Sequence, residues 1–264
     1  MEKNTYSLTI GWLYPDLMST YGDRGNIITL QRRCEWRGIK TEILPITSDT
    51  DAHELSSIDI LFGGGAQDRE QEIVMKDMMK KKDSIHKLIE HNIPSLFVCG
   101  SPQLMGKFYE PSEGRRIEGL GIFDMETKHP GPTDDRLIGN VVAKVNWNNL
   151  NIQSSIYSPT LHHIVGFENH GGRTVLGAKA KPFAQIVVGN GNNGQDGTEG
   201  VVYKNAIGCY FHGPLLPKNP HIADFLILRA LEVKYEKEIE LTILDDHLEE
   251  QAHNSIVKKL GVRI

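Results

Sequence analysis

The sequence predicts an α/β protein in which a mainly parallel central sheet is covered by helices on both faces and extended by antiparallel strands. In the first half, short apolar runs alternate with stretches of helical periodicity, as repeated strand–helix units require. In the second half, short apolar segments broken by glycine replace this alternation. Such segments favour antiparallel or mixed pairing over further strand–helix repeats.

The first half contains two helical patterns between its predicted strands. The first follows a turn-rich loop, includes Cys34 on its core-facing side, and ends before Gly38, a typical residue at a helix C-terminus. The second runs from about Asp68 to Glu90 as one long helix. The predicted strands are Ser7–Tyr14, Thr41–Ile46, Ile58–Phe62 and Pro94–Val98.

The second half is predicted to add strands, a hairpin and a closing helix. The hairpin would pair Gly200–Tyr203 with the segment that starts at Gly208, and an amphipathic helix would span Ile222–Val233. We place the main domain at residues 1–235 and a charged C-terminal extension at 236–264, which would cover the surface or contact a partner. The remaining predicted strands are Gly119–Asp124, Leu137–Asn146, Ile164–Phe167 and Ala184–Val188.

Composition limits the compartment and the partners. The 264 residues carry a net charge of -5, which argues against a nucleic-acid partner, since such a partner requires a basic face. No transmembrane helix is expected, and the first residues lack the basic start and apolar stretch of a secretory signal. Three widely spaced cysteines indicate reduced thiols in the cytoplasm.

The strongest candidate for chemistry is Cys99, which follows the apolar run Pro94–Val98 directly. Gly100 comes next, and Pro102 lies where proline is best tolerated, in the first turn of a helix. A cysteine at such a strand-to-helix turn leaves the sheet, and the helix N-terminus favours its thiolate. The N–H of Gly100 could then receive a developing oxyanion. The alternative is a small buried core cysteine.

Three consecutive glycines, 63–65, follow the third predicted strand. Glycines at the carboxyl end of a parallel strand let the backbone approach a ligand and present its N–H groups. No Lys-Ser or Lys-Thr follows them, so they are not a phosphate-binding P-loop. A simple tight turn is the alternative. We expect the glycine loop and Cys99 to share one edge of the sheet.

A cysteine nucleophile needs a base, and His212 is the best-placed histidine. It lies just past the last predicted strand, and Gly213 and Pro214 fix the turn that follows. A partly buried structural histidine is the alternative for this residue.

Other chemistries are less well supported. His162 and His163 are adjacent, so they would point to opposite sides of a strand, and no cysteine pair has C-x-x-C spacing for zinc. No G-x-S-x-G occurs for serine catalysis. Cys209, three residues before His212, is expected to pack inward.

Several motifs together make the chain resemble the class I glutamine amidotransferases, in the cobyric-acid-synthase-like branch. The matching stretches run in order from about Tyr21 to Asn219, over most of the chain. Each is weak alone, and the combination is specific. The stretches are TYGDRGNI, FGGGAQDREQ, VCGSPQLMGKFY, EGLGIFD, DDRLIGN, GFENHGGRT, GNGNN, EGVVYKN and GCYFHGPLLPKN.

The resemblance implies the three-layer fold of that family and a glutaminase reaction. Cys99 would attack the side-chain amide of glutamine, with His212 as general base and then acid. Ammonia would leave, and water would hydrolyse the glutamyl thioester. By family position, Gly64 and the N–H of Gly100 would form the oxyanion hole.

The resemblance also implies a set of glutamine ligands. Gln103 matches a residue that contacts bound glutamine, and Arg136 matches one that holds its α-carboxylate. A charge-assisted bidentate contact from an arginine suits a free amino acid. Asn169 and Gly171 are further candidates for the same pocket.

The sequence departs from the family pattern at two places. Ser101 and Pro102 replace the usual glycine and aromatic residue after Cys-Gly. Pro214 stands where many class I enzymes have a glutamate that orients the histidine. We therefore hypothesise that a partner chain supplies an orienting carboxylate.

Within this branch, the resemblance is to glutaminases that work as a heterodimer with a Mur-ligase-like subunit. That partner would use ATP to activate the α-carboxyl of D-glutamate in the lipid II stem peptide, in the cytoplasm or at the inner face of the membrane. No cofactor or metal is expected in this chain, and ATP and Mg²⁺ would belong to the partner. The alternatives are a glutaminase for another acid, such as a cobyrinate-type substrate, and a non-catalytic regulatory subunit.

Overall fold

The computed structural model describes residues 6–131, 133–150 and 161–263, so the first five residues, on which the absence of a secretory signal was judged, lie outside it. Its strands form one six-stranded and two four-stranded sheets. The strands are β1 (Ser7–Leu13), β2 (Lys40–Ile46), β3 (Ile60–Gly63), β4 (Ser95–Val98), β5 (Phe108–Glu110), β6 (Ile117–Glu118), β7 (Met125–Lys128), β8 (Leu137–Val145), β9 (His163–His170), β10 (Arg173–Leu176), β11 (Ala184–Val188), β12 (Thr198–Glu199), β13 (Val201–Tyr203) and β14 (Ala206–Cys209).

The central sheet has the strand order β13-β14-β4-β3-β1-β2. All neighbouring strands run parallel except β13, which pairs antiparallel with β14. The mainly parallel sheet is therefore confirmed, and so is the hairpin, but its second strand begins at Ala206 and not at Gly208. Because β3 and β4 are parallel neighbours, with Gly63 opposite Phe97, the glycine loop and Cys99 leave the same edge of the sheet.

Helices cover both faces of this sheet, which confirms the three-layer prediction. Strand β4 illustrates the division, since Leu96 and Val98 belong to one buried cluster and Phe97 to the other. α1 and α5 pack on the first side with β8, and α2, α3 and α4 pack on the second. The helices are α1 (Arg24–Trp36), α2 (Asp68–Met78), α3 (Lys82–Glu90), α4 (Gly100–Met105), α5 (Pro220–Tyr235) and α6 (His247–Lys259).

The single long helix predicted over residues 68–90 is wrong. A 3₁₀ turn, Met79–Lys81, separates α2 from α3 and brings Lys81 inward, where its Nζ donates to Asp77 at 2.5 Å. Apolar residues recur on the sheet-facing side of both helices, so periodicity continues through the turn. A hydrophobic pattern therefore could not show the break.

The antiparallel extension is confirmed in its main strands. β12, β11, β8 and β9 form an antiparallel sheet, whereas β10, β7, β5 and β6 form a mixed one. The strand predicted at Gly119–Asp124 is wrong. The N–H groups of Leu120 and Ile122 donate instead to the carbonyls of Leu104 and Met105, at the end of α4. This apolar stretch therefore closes the C-terminus of a helix.

α5 is not amphipathic, in contrast to the prediction, because every residue from Phe225 to Leu231 is buried. The chain beyond it packs back onto the domain, with Ile239 in the same core cluster as α5. Val257 of α6 packs on Val142 and Val165. The pattern within one helix cannot show which distant segments pack against it, so the sequence did not reveal that the chain after α5 packs back onto the domain.

Arg33 fixes the start of the C-terminal segment. Its guanidinium, only 1% exposed, donates to Asp224 of α5 at 2.7 Å and to Asp246 at 2.5 and 2.9 Å. Paired, hydrogen-bonded charges are the form in which an arginine tolerates burial. Among the residues with described structure, no helix is long and apolar enough to cross a membrane.

Candidate functional site

Cys99 lies at a strained junction between β4 and α4. Its φ of 55° and ψ of -97° are rarely adopted by a residue with a side chain. Its N–H still donates to the Cys209 carbonyl at 2.8 Å, in continuation of the sheet. The turn leaves the thiol half-buried beside a cavity at the sheet edge. This is the backbone form of a nucleophile elbow.

Ser101, one of the two departures from the family pattern, ties the elbow to the glycine loop. Its buried hydroxyl donates to the Gly64 carbonyl at 2.6 Å. A Cβ added at Gly63 would lie 2.5 Å from the Ser101 oxygen, so glycine is required for this contact. The substitution therefore supplies a hydrogen bond between the two loops that carry the site.

His212 is brought to the elbow by a bridge to β9. Its backbone N–H donates to the Phe167 carbonyl at 2.8 Å, and its side chain is fully buried. A Cβ added at Gly65 would lie 2.9 Å from His212 Cε1 and 3.3 Å from Cys99 Cβ. Gly65 therefore lies against the side chains of both Cys99 and His212. The fold thus brings together the two residues that the sequence predicted as nucleophile and base.

Asp23 is the carboxylate that faces His212. Its Oδ1 lies 3.6 Å from His212 Nδ1, and its Oδ2 accepts from the Gly65 N–H at 2.6 Å. Both side chains are fully buried. Tyr21 packs edge-on against the imidazole at 4.8 Å between ring centres. A carboxylate within this chain thus occupies the place for which the sequence suggested a partner residue.

The charges around His212 decide its protonation. Burial alone would lower the pKa of His212, but the Cys99 sulfur and the Asp23 carboxylate outweigh it and raise that pKa to about 10. His212 is therefore a cation at neutral pH. The imidazolium can therefore donate a proton to a leaving group next to the Cys99 sulfur.

The start of α1 explains both the position of Asp23 and the proline after His212. A Cβ added at Gly25 would lie 2.3 Å from the Pro214 ring, so the two residues are in close contact. The Asn26 side chain accepts from the Leu216 N–H at 2.9 Å. Sequence reasoning missed Asp23 as a site residue, although the TYGDRGNI stretch that contains it was a signal.

A cavity of about 380 Å³ lies at this edge of the sheet. All four residues that the resemblance assigned to glutamine binding border it together with Cys99. The assigned residues are Gln103, Arg136, Asn169 and Gly171.

Arg136 is held in place by Asn169 at the end of β9. Its Nε donates to the Asn169 side-chain oxygen at 2.9 Å, and its Nη2 donates to the Asn169 carbonyl at 2.8 Å. Asn169 in turn donates to the Tyr21 hydroxyl at 3.0 Å. Nη1 has no acceptor in the described ranges, so the outer side of the guanidinium can take a carboxylate.

The glycine loop meets the cavity through Ala66, and Gly64 is not among the residues that border it. The Ala66 nitrogen lies 2.9 Å from where a Cβ at Gly100 would be, next to the first turn of α4. Its N–H has no acceptor in the part of the chain that the structure describes. Ala66 was missed because the sequence marks the glycines and not the residue after them.

A chain of buried side chains forms the floor of the cavity. Gln71 donates to Gln103 at 3.1 Å, and Gln103 donates to the Tyr210 hydroxyl at 3.1 Å. His170 stacks on Tyr210 at 3.7 Å and pairs through Nδ1 with the Gly172 carbonyl at 2.8 Å. Burial lowers the pKa of His170 to about 3, so this histidine is neutral.

Among the described residues, no group of three or more histidine, cysteine, aspartate or glutamate side chains could hold a metal ion. Cys34 is fully buried on α1, as predicted, and burial raises its pKa to about 12. Cys209 is also buried, which confirms that it packs inward.

Comparisons with known proteins find relatives that match most of the chain. The chain is 40% identical over 248 residues to the GatD subunit of the glutamine-hydrolysing lipid II isoglutaminyl synthase of Streptococcus pneumoniae, covering 93% of this chain and 89% of the relative. The GatD subunit of Staphylococcus aureus is 39% identical over 87% of this chain and 86% of its own. A probable cobyric acid synthase of Methanothermobacter thermautotrophicus is 30% identical over 73% of this chain and 39% of the relative.

Solved structures agree on the fold. Two glutamine amidotransferases, the second from Thermotoga maritima, give TM-scores of 0.55 and 0.52 at 13% and 14% identity. They cover 84% and 96% of this chain, and 98% and 94% of their own. The model of the CobB/CobQ-like glutamine amidotransferase domain matches residues 9–220. The chain belongs to the CobB/CobQ-like glutamine amidotransferase family, as the motifs of its sequence predicted.

Proposed function

We propose that this chain is the glutaminase subunit of a lipid II isoglutaminyl synthase. The observation that carries the proposal is the cluster of Cys99, His212 and Asp23 at the edge of the sheet, where Cys99 borders a cavity that Arg136 also borders. The similarity to two GatD subunits over most of their length supports the choice of pathway.

In the first half of the reaction, the Cys99 thiolate attacks the carbonyl carbon of the glutamine side chain. The oxyanion that forms accepts hydrogen bonds from backbone N–H groups, one from Gly100 and one from the glycine loop. The resemblance suggests Gly64 for the second donor, whereas the free N–H and cavity position of Ala66 favour Ala66. The carbon–nitrogen bond then breaks as His212 donates its proton to nitrogen, and ammonia leaves.

In the second half, water attacks the γ-glutamyl thioester. His212, now neutral, removes a proton from that water, the carbon–sulfur bond breaks, and glutamate leaves the regenerated thiolate–imidazolium pair. Asp23 contacts no reacting atom in this scheme. It orients the imidazole through Nδ1 and stabilises its positive charge, as a third group does in a catalytic triad.

Arg136 supplies recognition at the other end of the substrate. The α-carboxylate of glutamine would bind its outer side, because the inner nitrogens are occupied by Asn169. Gln103, Asn169 and Gly171 border the same cavity and complete the pocket.

The partner in this proposal is a Mur-ligase-like subunit that forms a heterodimer with the chain. It would activate the α-carboxyl of D-glutamate in the lipid II stem peptide with ATP and Mg²⁺, and ammonia released here would convert it to the amide. No cofactor is assigned to this chain. The pair would act in the cytoplasm, where the lipid II precursor is made and presented at the inner membrane face.

The test is ammonia release from L-glutamine by the purified chain, with and without a co-expressed Mur-ligase-like partner. Wild type is compared with Cys99→Ala, and Cys209→Ala serves as the matched control because its thiol lies one strand away and is buried. We expect release by wild type and by the control, loss in Cys99→Ala, and stimulation by the partner.

Other outcomes would contradict the proposal. A folded wild type that releases no ammonia with or without the partner would be a non-catalytic subunit with the same fold. Release that supports amidation of a cobyrinate-type acid and not of lipid II would keep the glutaminase and change the pathway.

A further inference from the structure

The orientation of the Gln71 side chain is fixed by the backbone. Its Nε2 lies 3.1 Å from the Ala66 carbonyl, which can only accept, so the atom facing that carbonyl must be the nitrogen. The same nitrogen donates to Gln103 Oε1 at 3.1 Å. Gln103 then donates through Nε2 to Tyr210, which in turn is paired with Thr174 at 2.6 Å. In this series of hydrogen bonds, the positions of the oxygen and the nitrogen are therefore defined for both the Gln71 and the Gln103 side chains.

This direction leaves one acceptor unused. Gln71 Oε1 is buried and has no hydrogen-bond donor among the described residues. The side chain as a whole is only 2% exposed, and it borders the cavity together with Cys99. A buried acceptor without a partner is unfavourable, so native proteins rarely keep one without a reason. The free oxygen can therefore take a donor from outside the described residues, such as a bound ligand.

The position of Gln71 indicates which end of the substrate supplies that donor. Its Nε2 lies 3.1 Å from the Cβ position of Gly100, so the side chain adjoins the elbow where the reacting amide carbon must sit. Arg136, which would hold the opposite end of glutamine, is fixed by Asn169 on β9. The group next to the reacting carbon is the carboxamide nitrogen, which carries two N–H donors.

We propose that Gln71 Oε1 accepts a hydrogen bond from the side-chain carboxamide N–H of glutamine and thereby selects an amide at the reacting position. This inference rests on the proposed function and adds a specificity residue to it. A γ-ester or the product glutamate places an oxygen where the amide has its nitrogen, and at neutral pH neither has an N–H to donate from that position. Gln71 would favour the amide substrate over both.

The experiment compares hydrolysis of L-glutamine with that of L-glutamate γ-methyl ester by the full chain in complex with its partner. Both substrates carry the same α-ammonium and α-carboxylate, and both pass through the same thioester. Glutamate formation is measured for both, and kcat/KM is compared between wild type and Gln71→Met. The loss of one hydrogen bond to a buried polar group predicts a fall of about 10- to 100-fold for glutamine. Hydrolysis of the ester should be unchanged or faster.

Two further variants separate recognition from structure. Tyr210→Phe breaks the same chain of hydrogen bonds but leaves Gln71 Oε1 in place, so the ratio of the two substrates should stay at the wild-type value. Gln71→Glu keeps an oxygen acceptor, but it loses the donor to Ala66 and Gln103 and adds a negative charge, so both substrates should react more slowly while their ratio stays at the wild-type value. Glutamate should inhibit Gln71→Met at least as strongly as wild type, whereas a damaged pocket would bind it more weakly.

An equal fall for both substrates in Gln71→Met would overturn the proposal, because it would assign Oε1 to the α-ammonium or to the pocket structure. No change for either substrate would overturn it as well, as would a shifted ratio in Gln71→Glu. These results differ from failure of the proposed function itself, in which the wild type would hydrolyse neither substrate or Cys99→Ala would hydrolyse both.

Discussion

Cys99 and Cys209 lie on neighbouring strands of one sheet, and only one of them is placed to react. Val98 and Cys209 are partners in the parallel register of β4 and β14, and the Cys99 N–H donates to the Cys209 carbonyl at 2.8 Å. Cys209 is 1% exposed in a regular strand. Burial, with the nearby Glu199 carboxylate, raises the pKa of Cys209 well above its usual value and keeps it a thiol.

The difference between the two cysteines comes from one backbone turn. At Cys99 the chain adopts a positive φ and leaves the sheet, so the sulfur reaches the cavity and the cationic His212. Cys209 is the last residue of β14, and its side chain stays in the core. A cysteine at the carboxyl end of a parallel strand is thus not enough to make a nucleophile. The backbone turn and the charge beside the sulfur decide it.

The most damaging small change should be Gly65→Ala. The new methyl group would lie 2.9 Å from His212 Cε1 and 3.3 Å from Cys99 Cβ, so the two side chains would have to separate. A displacement of about 1 Å at reacting groups lowers rates by about 100-fold, and we expect a fall in kcat/KM for glutamine of that size or more. Gly139→Ala is the control, because no heavy atom lies within 4 Å of its added Cβ. Full activity in a folded Gly65→Ala variant would show that the pair does not act together.

A smaller loss is expected from Asp23→Asn, which removes the carboxylate that faces His212. We expect a fall of about 10- to 100-fold in kcat/KM, since the asparagine can still accept from the Gly65 N–H but cannot stabilise the cation. The pKa of His212 is raised partly by Asp23, so its loss should move the alkaline limb of the pH–rate profile to lower pH.

The same variant separates the two possible sources of the orienting carboxylate. The rate and the pH profile are measured for the chain alone and for its complex with the partner. An unchanged profile for Asp23→Asn in the complex would return this role to a partner residue, as the sequence first suggested.

Glu199 is buried close to Cys209, and its burial predicts that the stability of the protein depends on pH. Its Oε1 accepts from the Tyr210 N–H at 2.7 Å, its Oε2 has no donor among the described residues, and burial raises its pKa to about 8. Below its unfolded pKa of 4.5 the group is protonated in both states. Between 4.5 and 8 only the unfolded chain loses the proton, so the free energy of unfolding falls by about 1.4 kcal/mol per pH unit.

Glu199→Gln removes this dependence, because glutamine is neutral at every pH and can still accept from Tyr210. The variant should therefore melt at a higher temperature than wild type at pH 8 and gain little at pH 4.5, as measured by thermal unfolding. Glu113→Gln, at an exposed position, is the matched control. An equal gain in melting temperature at both pH values would contradict this prediction. It would mean that Glu199 is ionised in the folded protein or that its protonation does not affect stability.

The sequence was most informative where chemistry and backbone depend on neighbours in the chain. Cys99 and Gly100 were found from one strand end, and Pro102 marked the helix that follows. The buried parallel strands followed from apolar runs of the right length. These features are local, so a pattern of a few residues contains them.

Features that depend on distant contacts were missed. Asp23 belongs to the loop before α1 and reaches the site through two distant contacts, the packing of Pro214 on Gly25 and the hydrogen bond from the Gly65 N–H. α5 is buried in a cluster that also contains residues of α1, of β8 and the later Ile239, although its sequence suggests an exposed face. Gln71 was part of a quoted motif, but its role depends on which of its atoms the Ala66 carbonyl engages.

The smallest effect should come from Cys209→Ala. Loss of one buried sulfur leaves a small cavity in the core, so we expect destabilisation of about 1 kcal/mol and a kcat/KM for glutamine within about threefold of wild type. Iodoacetamide and peptide mass spectrometry provide the direct comparison, since only the thiolate reacts readily. Cys99 should be labelled in the folded wild type while Cys34 and Cys209 stay unlabelled. Equal labelling of Cys99 and Cys209 would mean that the positive φ at Cys99 does not set its reactivity, because both thiols would then be equally open to reagent.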